Sequence, residues 1–326
     1  SPLAAEIADE GLDNDCADGD LVALTTTTGT YVALVSGCSD TSATRGTREE
    51  PACTLERALG RTTHGDFFVE SRTQTVVSAA FTGGDVRLYG GYSPTDWSRD
   101  PEDEPTRIHV ASDTLGAPMV TFTDGDTFVI DGFEVRGTPV GDGDPERSAF
   151  ELTPTARAAF HRVGVETTGV IGAIRVTGTA SVHPDLTILR SRVRCADAAL
   201  VTSSVLSCVR ADDVGHALLA FSSFRSSTVG RNLRVLMFQQ TRDITLLNNA
   251  LQAASMDSSS RIAVANGPAL FRAVANSISI QSASNSYAGV FELGEVQAMS
   301  FLNNATFGQS AQTVWLYENS ETLGTL

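Results

Sequence analysis

A short asparagine-containing phrase that recurs three times is the sequence feature that most constrains the fold. The copies are Leu247-Asn248-Asn249-Ala250, Ala275-Asn276-Ser277-Ile278 and Leu302-Asn303-Asn304-Ala305. The aligned Asn residues at 248, 276 and 303 are separated by steps of 28 and 27 residues. A repeat of this length, built of short apolar strands and polar corners, is typical of one coil of a solenoid.

Similar spacing continues towards the N-terminus. Steps of 26 to 32 residues lead back from the first copy to short β-rich segments at Phe221, Leu189, Val163 and Phe133. Three short strands per coil and no long helix predict a parallel β-helix, in which apolar side chains stack inside the tube. We expect Asn248, Asn276 and Asn303 to stack in successive coils as an internal amide ladder.

The chain divides into an acidic segment at 1–20 and a parallel β-helix domain at 21–326, with a cap at about 21–65 and coils at about 66–326. Within the cap, residues 53–60 predict a short helix. Thr54 is its N-cap, Leu55 and Ala58 share one face, and Gly60 ends it. A helix at the end of a solenoid covers strand edges that otherwise aggregate.

The acidic segment carries carboxylates at nearly alternate positions, namely Asp13, Asp15, Asp18 and Asp20. Acidic oxygens with Gly at a tight bend suit a Ca²⁺ loop, although the spacing of an EF-hand is missing. The alternative is a solvated acidic linker.

Five cysteines suggest local cross-links. Cys38 and Cys53 lie 15 residues apart, and Cys195 and Cys208 lie 13 apart. We predict two disulfides, each stabilising the fold by about 3 kcal/mol, with buried free thiols as the alternative for the second pair. Cys16 is left over. Disulfides predict an exported protein, and a chain that starts at Ser1 predicts a removed signal peptide.

The charge balance limits the partners. There are 39 acidic and 23 basic residues, a net charge of −16, and every basic residue is Arg. Such a chain repels nucleic acid, whose binding depends on basic neutralisation of phosphates. No apolar run reaches the roughly 20 residues that span a bilayer. The absence of Lys excludes a Schiff-base nucleophile.

Several segments resemble exported bacterial right-handed parallel β-helix proteins of the pectate-lyase-like class, as found on the surfaces of myxobacteria. Cys53-Thr54-Leu55 with Ala58-Leu59 is similar to their capping helix, and residues 86–92, 97–101 and 106–108 are similar to their first coils. Residues 11–16 resemble an acidic Cys-containing motif that precedes such domains. The resemblance implies a right-handed, single-stranded parallel β-helix on the outer cell surface, and it implies no particular activity.

Candidate catalytic residues are few. Asp212, Asp213 and His216 have the residue types of a polygalacturonase-like hydrolase, but they lie too close together in sequence, and the Asp pair also suits a solvated turn. Arg190 and Arg192 alternate along a strand, as does Arg194. They could engage a polyanionic sugar or abstract a proton in a Ca²⁺-dependent lyase, or be plain solvated surface.

We therefore expect a non-catalytic exported protein that acts in adhesion or recognition of polysaccharide or of another surface protein. One alternative is a lyase or glycoside hydrolase that acts on acidic polysaccharide. Another is a structural surface protein that self-associates end to end, since the sequence predicts no C-terminal cap.

Overall fold

The computed structural model describes most of the chain. The described residues are 8, 29–40, 46–61, 64–76, 79–110, 118, 120–137, 148–168, 172–196, 206–226, 233–256, 261–282, 288–309 and 314–319. The predicted calcium ligands Asp13, Asp15, Asp18 and Asp20 lie outside the described residues, as does Cys16.

Short strands make up most of the described chain. The helix is α1 (Leu55–Arg61). In chain order the strands are β1 (Thr30–Val32), β2 (Gly65–Glu70), β3 (Thr73–Val76), β4 (Ala79–Thr82), β5 (Val86–Tyr92), β6 (Thr106–Val110), β7 (Val120–Thr123), β8 (Thr127–Asp131), β9 (Phe133–Gly137), β10 (Ser148–Thr153), β11 (Arg157–His161), β12 (Gly164–Thr168), β13 (Gly172–Thr177) and β14 (Asp185–Leu189). They continue as β15 (Arg192–Ala196), β16 (Leu206–Asp212), β17 (His216–Ala220), β18 (Ser223–Ser226), β19 (Leu233–Gln239), β20 (Asp243–Leu247), β21 (Ala250–Met256), β22 (Arg261–Asn266), β23 (Leu270–Val274), β24 (Ser277–Ser282), β25 (Ala288–Gly294), β26 (Ala298–Leu302), β27 (Ala305–Gln309) and β28 (Val314–Asn319).

Three parallel sheets wind around one axis. Sheet A runs β1-β2-β5-β8-β11-β14-β17-β20-β23-β26, sheet B runs from β3 to β27, and sheet C runs from β4 to β28. Every third strand pairs, so each coil gives one strand to each sheet. This arrangement confirms the predicted parallel β-helix with one short capping helix.

Apolar side chains fill the tube because strand residues alternate between its inside and its outside. On sheet A, Phe128 pairs in register with Ala158, and Ile130 pairs with Phe160. All four are fully buried. Phe150 of sheet C meets Phe160 edge-on, with ring centroids 5.3 Å apart. Each coil therefore buries its side chains against the coils above and below it.

A ladder of buried polar side chains follows the corner between sheets A and B. Asn276 Oδ1 accepts hydrogen bonds from the Asn249 backbone N–H at 3.0 Å and from Asn249 Nδ2 at 3.1 Å. In the next coil, Asn304 Oδ1 accepts hydrogen bonds from the Asn276 backbone N–H at 3.0 Å and from Asn276 Nδ2 at 2.9 Å. Upstream, hydroxyl groups replace the amides: Ser191 N–H donates to Ser222 Oγ, and Ser222 N–H donates to Asn249 Oδ1.

The predicted ladder was therefore correct at Asn276 and wrong at Asn248 and Asn303. Asn248 and Asn303 occupy the preceding corner position, where their φ angles are 55° and 52°. Ala275 occupies the same position in the coil between them, with a φ of 55°. Asn tolerates this left-handed conformation well, which explains why Asn occurs at the corner. The predicted alignment matched Asn248 and Asn303, which are corner residues, with Asn276, which belongs to the ladder.

The N-terminal end of the solenoid is covered on all three sides. Strand β1 pairs with β2 and extends sheet A. Helix α1 lies against β3 and β4, the first strands of sheets B and C. Leu55 and Ala58 of α1 are buried in the main core. The predicted disulfide between Cys38 and Cys53 is present, with the Cα atoms 5.1 Å apart, and it fastens the loop beside this helix.

The second predicted disulfide is absent. Cys195 on β15 and Cys208 on β16 are both buried free thiols. Burial raises the pKa of Cys208 well above its usual value, and contact with Cys195 adds to this effect. Both cysteines belong to the main apolar core, where a thiol packs like a small hydrophobic side chain. The alternative of buried free thiols therefore describes this pair.

A second apolar cluster covers the outside of sheet A near the N-terminal end. It contains the aromatic side chains Tyr31, Phe68, Tyr89, Tyr92 and Trp97, with Ala8 and Val129.

Beneath it lies a buried ion cluster. Arg99 contacts Asp131 at 2.7 Å and also donates to the Ala8 carbonyl at 2.6 Å. The guanidinium of Arg162 pairs with the same carboxylate.

Burial opposes ionisation of Asp131, but the charge of Arg99 and the bond from Arg162 outweigh burial and lower the pKa of Asp131. His161 follows Asp131 in register on sheet A, and its Nε2 atom has no hydrogen-bond partner. Burial lowers the pKa of His161 to about 4. The imidazole is therefore neutral in this cluster near pH 7.

Candidate functional site

The predicted catalytic residues do not come together. Arg192 lies on the outer face of sheet B, Asp212 ends a strand of sheet C, and His216 begins a strand of sheet A. Because the three sheets face different directions around the tube, these side chains serve different surfaces.

Asp212 and its neighbours have structural partners. Asp212 is buried, and both of its carboxylate oxygens accept from Arg210 Nε, at 3.0 and 2.8 Å. Arg175 contacts the same carboxylate at 3.5 Å. Asp213 forms a left-handed corner with a φ of 56°, and exposed His216 pairs with Asp243 at 3.1 Å. The alternative of a solvated turn was wrong for Asp212, whose carboxylate is neutralised inside an ion-pair network.

Arg190 and Arg192 share a shallow pocket of about 230 Å³. Glu102, Glu134 and Arg162 also line it. Arg190 occupies the corner before the strand, with a φ of 48°, and its guanidinium lies 3.8 Å from Glu102. Exposed Arg192 has no side-chain partner in the part of the chain that the structure describes. The predicted pair therefore meets at one surface.

Alternating charges surround this pocket on the outer face of sheet B. Glu166 contacts Arg194 at 3.0 Å and Arg136 at 3.9 Å. Glu134 contacts Arg107 at 3.4 Å and Arg136 at 3.7 Å. Arg194 was expected to share a face with Arg192, and it does. Glu134 and Glu166 thus neutralise these three arginines only in part, and Arg192 adds a positive charge that no described side chain on this face compensates.

Sheet C carries a second set of arginines, in two stacked pairs. Arg175 pairs in register with Arg210, and Arg234 pairs in register with Arg261. Parallel partners lie about 4.8 Å apart, so each pair places two like charges side by side. The Asp212 carboxylate contacts both arginines of the first pair. In the second pair, Glu292 contacts Arg261 at 3.1 Å.

Arg234 differs from Arg175, Arg210 and Arg261, because its guanidinium makes no ion pair within the described ranges. Its Nε atom is also buried without a hydrogen-bond partner, a feature that is not confined to Arg234. Burial lowers the pKa of Arg234, and adjacent Arg261 lowers it further, while Glu292 partly compensates. A desolvated cation without a partner costs free energy, and such strain is typical of a site that receives an anion.

Prediction from sequence missed this arginine row. Arg234 and Arg261 are separated by 27 residues, which equals the ladder step from Asn249 to Asn276. The coil length therefore predicts that Arg234 and Arg261 lie one above the other, as it predicts the Asn repeat. Alternation along a single strand does not predict this contact.

Metal sites do not appear among the described ranges, where no group of three or more His, Cys, Asp and Glu side chains is placed to hold an ion. None of the described helices is long and apolar enough to cross a membrane. Comparisons with protein-family models, with curated proteins and with solved structures gave no match.

Proposed function

We propose that this protein is a non-catalytic recognition module that binds an acidic polysaccharide across the outer face of sheet C. The observation that carries the proposal is Arg234, a half-buried guanidinium that makes no ion pair among the described residues and is stacked in register on Arg261. A guanidinium binds a carboxylate with two parallel hydrogen bonds, so a sugar acid supplies the missing partner.

The polymer class follows from the charges. The chain carries a net charge of −16, which repels densely charged polyanions such as nucleic acid. A polysaccharide with separated carboxylates and many hydroxyl groups meets less repulsion. Gln239, which accepts a hydrogen bond from Arg210 at 3.1 Å, offers amide groups to such hydroxyls on the same face.

Replacing Arg234 tests the proposal. We expect Arg234→Ala to weaken binding of polygalacturonate by tenfold to a hundredfold, because one charge-assisted contact contributes about 1.5–3 kcal/mol. Isothermal titration calorimetry with polygalacturonate measures this change, and a neutral glucan serves as the ligand control.

Arg272→Ala and Arg225→Ala are matched protein controls. Both arginines are exposed and lie on sheets A and B, and neither has a side-chain partner among the described residues. The three variants change the net charge equally. Equal weakening in all of them would indicate general electrostatics and would contradict a site on sheet C.

A second candidate function is a polysaccharide lyase that acts at the same place. The stacking of Arg234 on Arg261 favours it, because two adjacent guanidinium groups would stabilise the negative charge that develops when a lyase removes the proton beside the sugar carboxylate. Lyase action removes a proton beside the carboxylate, expels the glycosidic oxygen and leaves an unsaturated sugar that absorbs ultraviolet light. If the absorbance grows steadily in the presence of Ca²⁺ and Arg234→Ala abolishes this growth, the protein is a lyase and the recognition proposal is wrong.

Export and calcium binding belong to the same proposal. The disulfide between Cys38 and Cys53 supports an exported, cell-surface location, because such bonds persist in oxidising compartments. Asp13, Asp15, Asp18 and Asp20 remain the proposed Ca²⁺ ligands. Titration of the protein with Ca²⁺, compared with a variant that has Asn at those four positions, tests this: equal heats would exclude the site.

A further inference from the structure

A glycine forms the floor of the shallow pocket beside Arg190 and Arg192. On the outer face of sheet B, Gly164 pairs in register with Glu134 of one neighbouring strand and with Arg192 of the other. Neighbouring strands lie about 4.8 Å apart, so Glu134 and Arg192 are about 10 Å apart with no side chain between them. The pocket of about 230 Å³ lies over this gap.

One wall of the pocket is a loop that the fold holds in place. The loop between β5 and β6 contributes Pro101 and Glu102 to the lining. Arg99 of the same loop is buried and contacts Asp131 at 2.7 Å. The loop also packs tightly on Gly132, where a Cβ atom would lie 2.7 Å from Pro101 Cβ. The wall is therefore formed before any ligand arrives, which lowers the cost of binding.

The side chains around the pocket leave positive charge uncompensated. Arg162 lines the pocket, but its guanidinium is paired with Asp131. Arg190 lies 3.8 Å from Glu102, and because these side chains are 68% and 66% exposed, water weakens their attraction. Exposed Arg192 makes no ion pair in the part of the chain that the structure describes. The pocket therefore attracts anions, although the whole chain carries a net charge of −16.

We propose that this pocket binds a phosphate group, either free or carried by a sugar-sized molecule. Arg190 lines the pocket from the corner between sheets A and B, and Arg192 lines it from strand β15, so guanidinium donors come from two directions. A flat carboxylate matches one guanidinium, whereas a tetrahedral oxyanion has enough oxygens to accept hydrogen bonds from both.

The carboxylates of the pocket favour phosphate over sulfate. Glu102 and Glu134 also line it, and an ionised carboxylate accepts hydrogen bonds but donates none. Inorganic phosphate keeps at least one proton at neutral pH and donates it to a carboxylate. Sulfate has the same shape and no proton, so its oxygens only repel these carboxylates. This site is separate from the surface proposed on sheet C, and the inference does not depend on the carbohydrate function.

Isothermal titration calorimetry at constant ionic strength tests the proposal with inorganic phosphate, glucose 6-phosphate and sulfate. The measurement is made at pH 6, where about half of a phosphate ester keeps its proton. We expect both phosphates to bind, and sulfate to bind at least tenfold more weakly. Tighter binding of glucose 6-phosphate would identify the ligand as an ester, and tighter binding of inorganic phosphate would identify it as the free ion. Equal affinity for phosphate and sulfate, or no phosphate binding, would overturn the proposal.

Two substitutions locate the site. Gly164→Thr fills the floor of the pocket without a change of charge. A Cβ atom at position 164 would lie 3.5 Å from Glu134 Cγ, which is an ordinary contact, so the strand tolerates a side chain there. We expect Gly164→Thr and Arg192→Ala each to weaken phosphate binding by about tenfold or more.

Each substitution has a matched control. Ala250→Thr places the same side chain at an exposed position in the same row of sheet B, two coils beyond Arg192. Arg234→Ala removes the same charge on sheet C. Both controls should bind phosphate as the wild type does, and far-UV circular dichroism verifies that all four variants are folded. Wild-type phosphate binding in folded Gly164→Thr, or equal weakening in Arg192→Ala and Arg234→Ala, would also overturn the proposal.

Discussion

The first and the last described coils of the solenoid differ in how their interior is covered. At the N-terminal end, α1, β1 and the Cys38–Cys53 disulfide cover the first strand of every sheet. At the other end, β26, β27 and β28 have no described element on them, and Phe301 is 38% exposed. Coils between the ends are nearly identical in construction. The difference therefore shows that a repeat sets its own interior but not its termination.

The outer surfaces follow the same division. The outside of sheet A near the N-terminal end holds an aromatic cluster and the buried ions Arg99 and Asp131. Towards the other end, the same outer face presents exposed Leu302. Sequence that lies outside the repeat adds a second layer over the first coils, so stability should be unequal along the described part of the tube.

The largest expected effect comes from one substitution made at both ends. Phe67→Ala removes a fully buried ring in the first coil and should lower the free energy of unfolding by about 3–5 kcal/mol. Phe301→Ala removes a ring that water already reaches, and we expect about 1–2 kcal/mol. Urea unfolding of dilute protein, followed by circular dichroism, measures both.

Comparable losses in the two variants would break the contrast between the ends.

The next effect concerns acid. Burial lowers the pKa of His161 from 6.5 to about 4, so the unfolded chain binds a proton that the folded chain rejects. The stability that neutral His161 provides is complete above pH 6.5 and is lost as the pH falls towards 4, by about 3 kcal/mol. Urea unfolding at a series of pH values between these limits reveals the slope.

His161→Gln should flatten that slope, because Gln does not titrate. His216→Gln is the matched control, since His216 is exposed and paired with Asp243. If the slope is unchanged in His161→Gln, groups other than His161 cause the loss of stability in acid.

The smallest effect concerns the Asn ladder. Asn276→Ala leaves the Asn249 N–H without its acceptor in a fully buried coil and should cost about 1–3 kcal/mol. Asn304→Ala removes the equivalent acceptor in the half-buried last coil, where water replaces it, so we expect less than about 1 kcal/mol.

Asn303→Gly serves as the control for the ladder. It removes an exposed amide at the left-handed corner and keeps a residue that accepts a φ of 52°. Thermal unfolding ranks the three variants. A loss in Asn303→Gly as large as that in Asn276→Ala would restore the original prediction that position 303 belongs to the ladder.

Much of the fold could be predicted from sequence because coil length and strand alternation are local patterns. The capping helix was predicted at 53–60 and begins at Leu55, since its cap and apolar face lie within one turn. The ladder register was harder. Asn248 and Asn249 are adjacent and identical in sequence, and only contact with the next coil distinguishes the corner position from the inward one.

The sequence by itself determined the solenoid and its coil of about 27 residues, because both depend on neighbours along the chain. Only the tertiary structure decided which of the two cysteine pairs is bonded, that Asp212 contacts Arg175 of the preceding coil, and that Arg234 makes no ion pair among the described residues. The contact between Arg175 and Asp212 shows the reason: it joins two coils and residues that are 37 apart in sequence, and the pattern of a single strand carries no record of it.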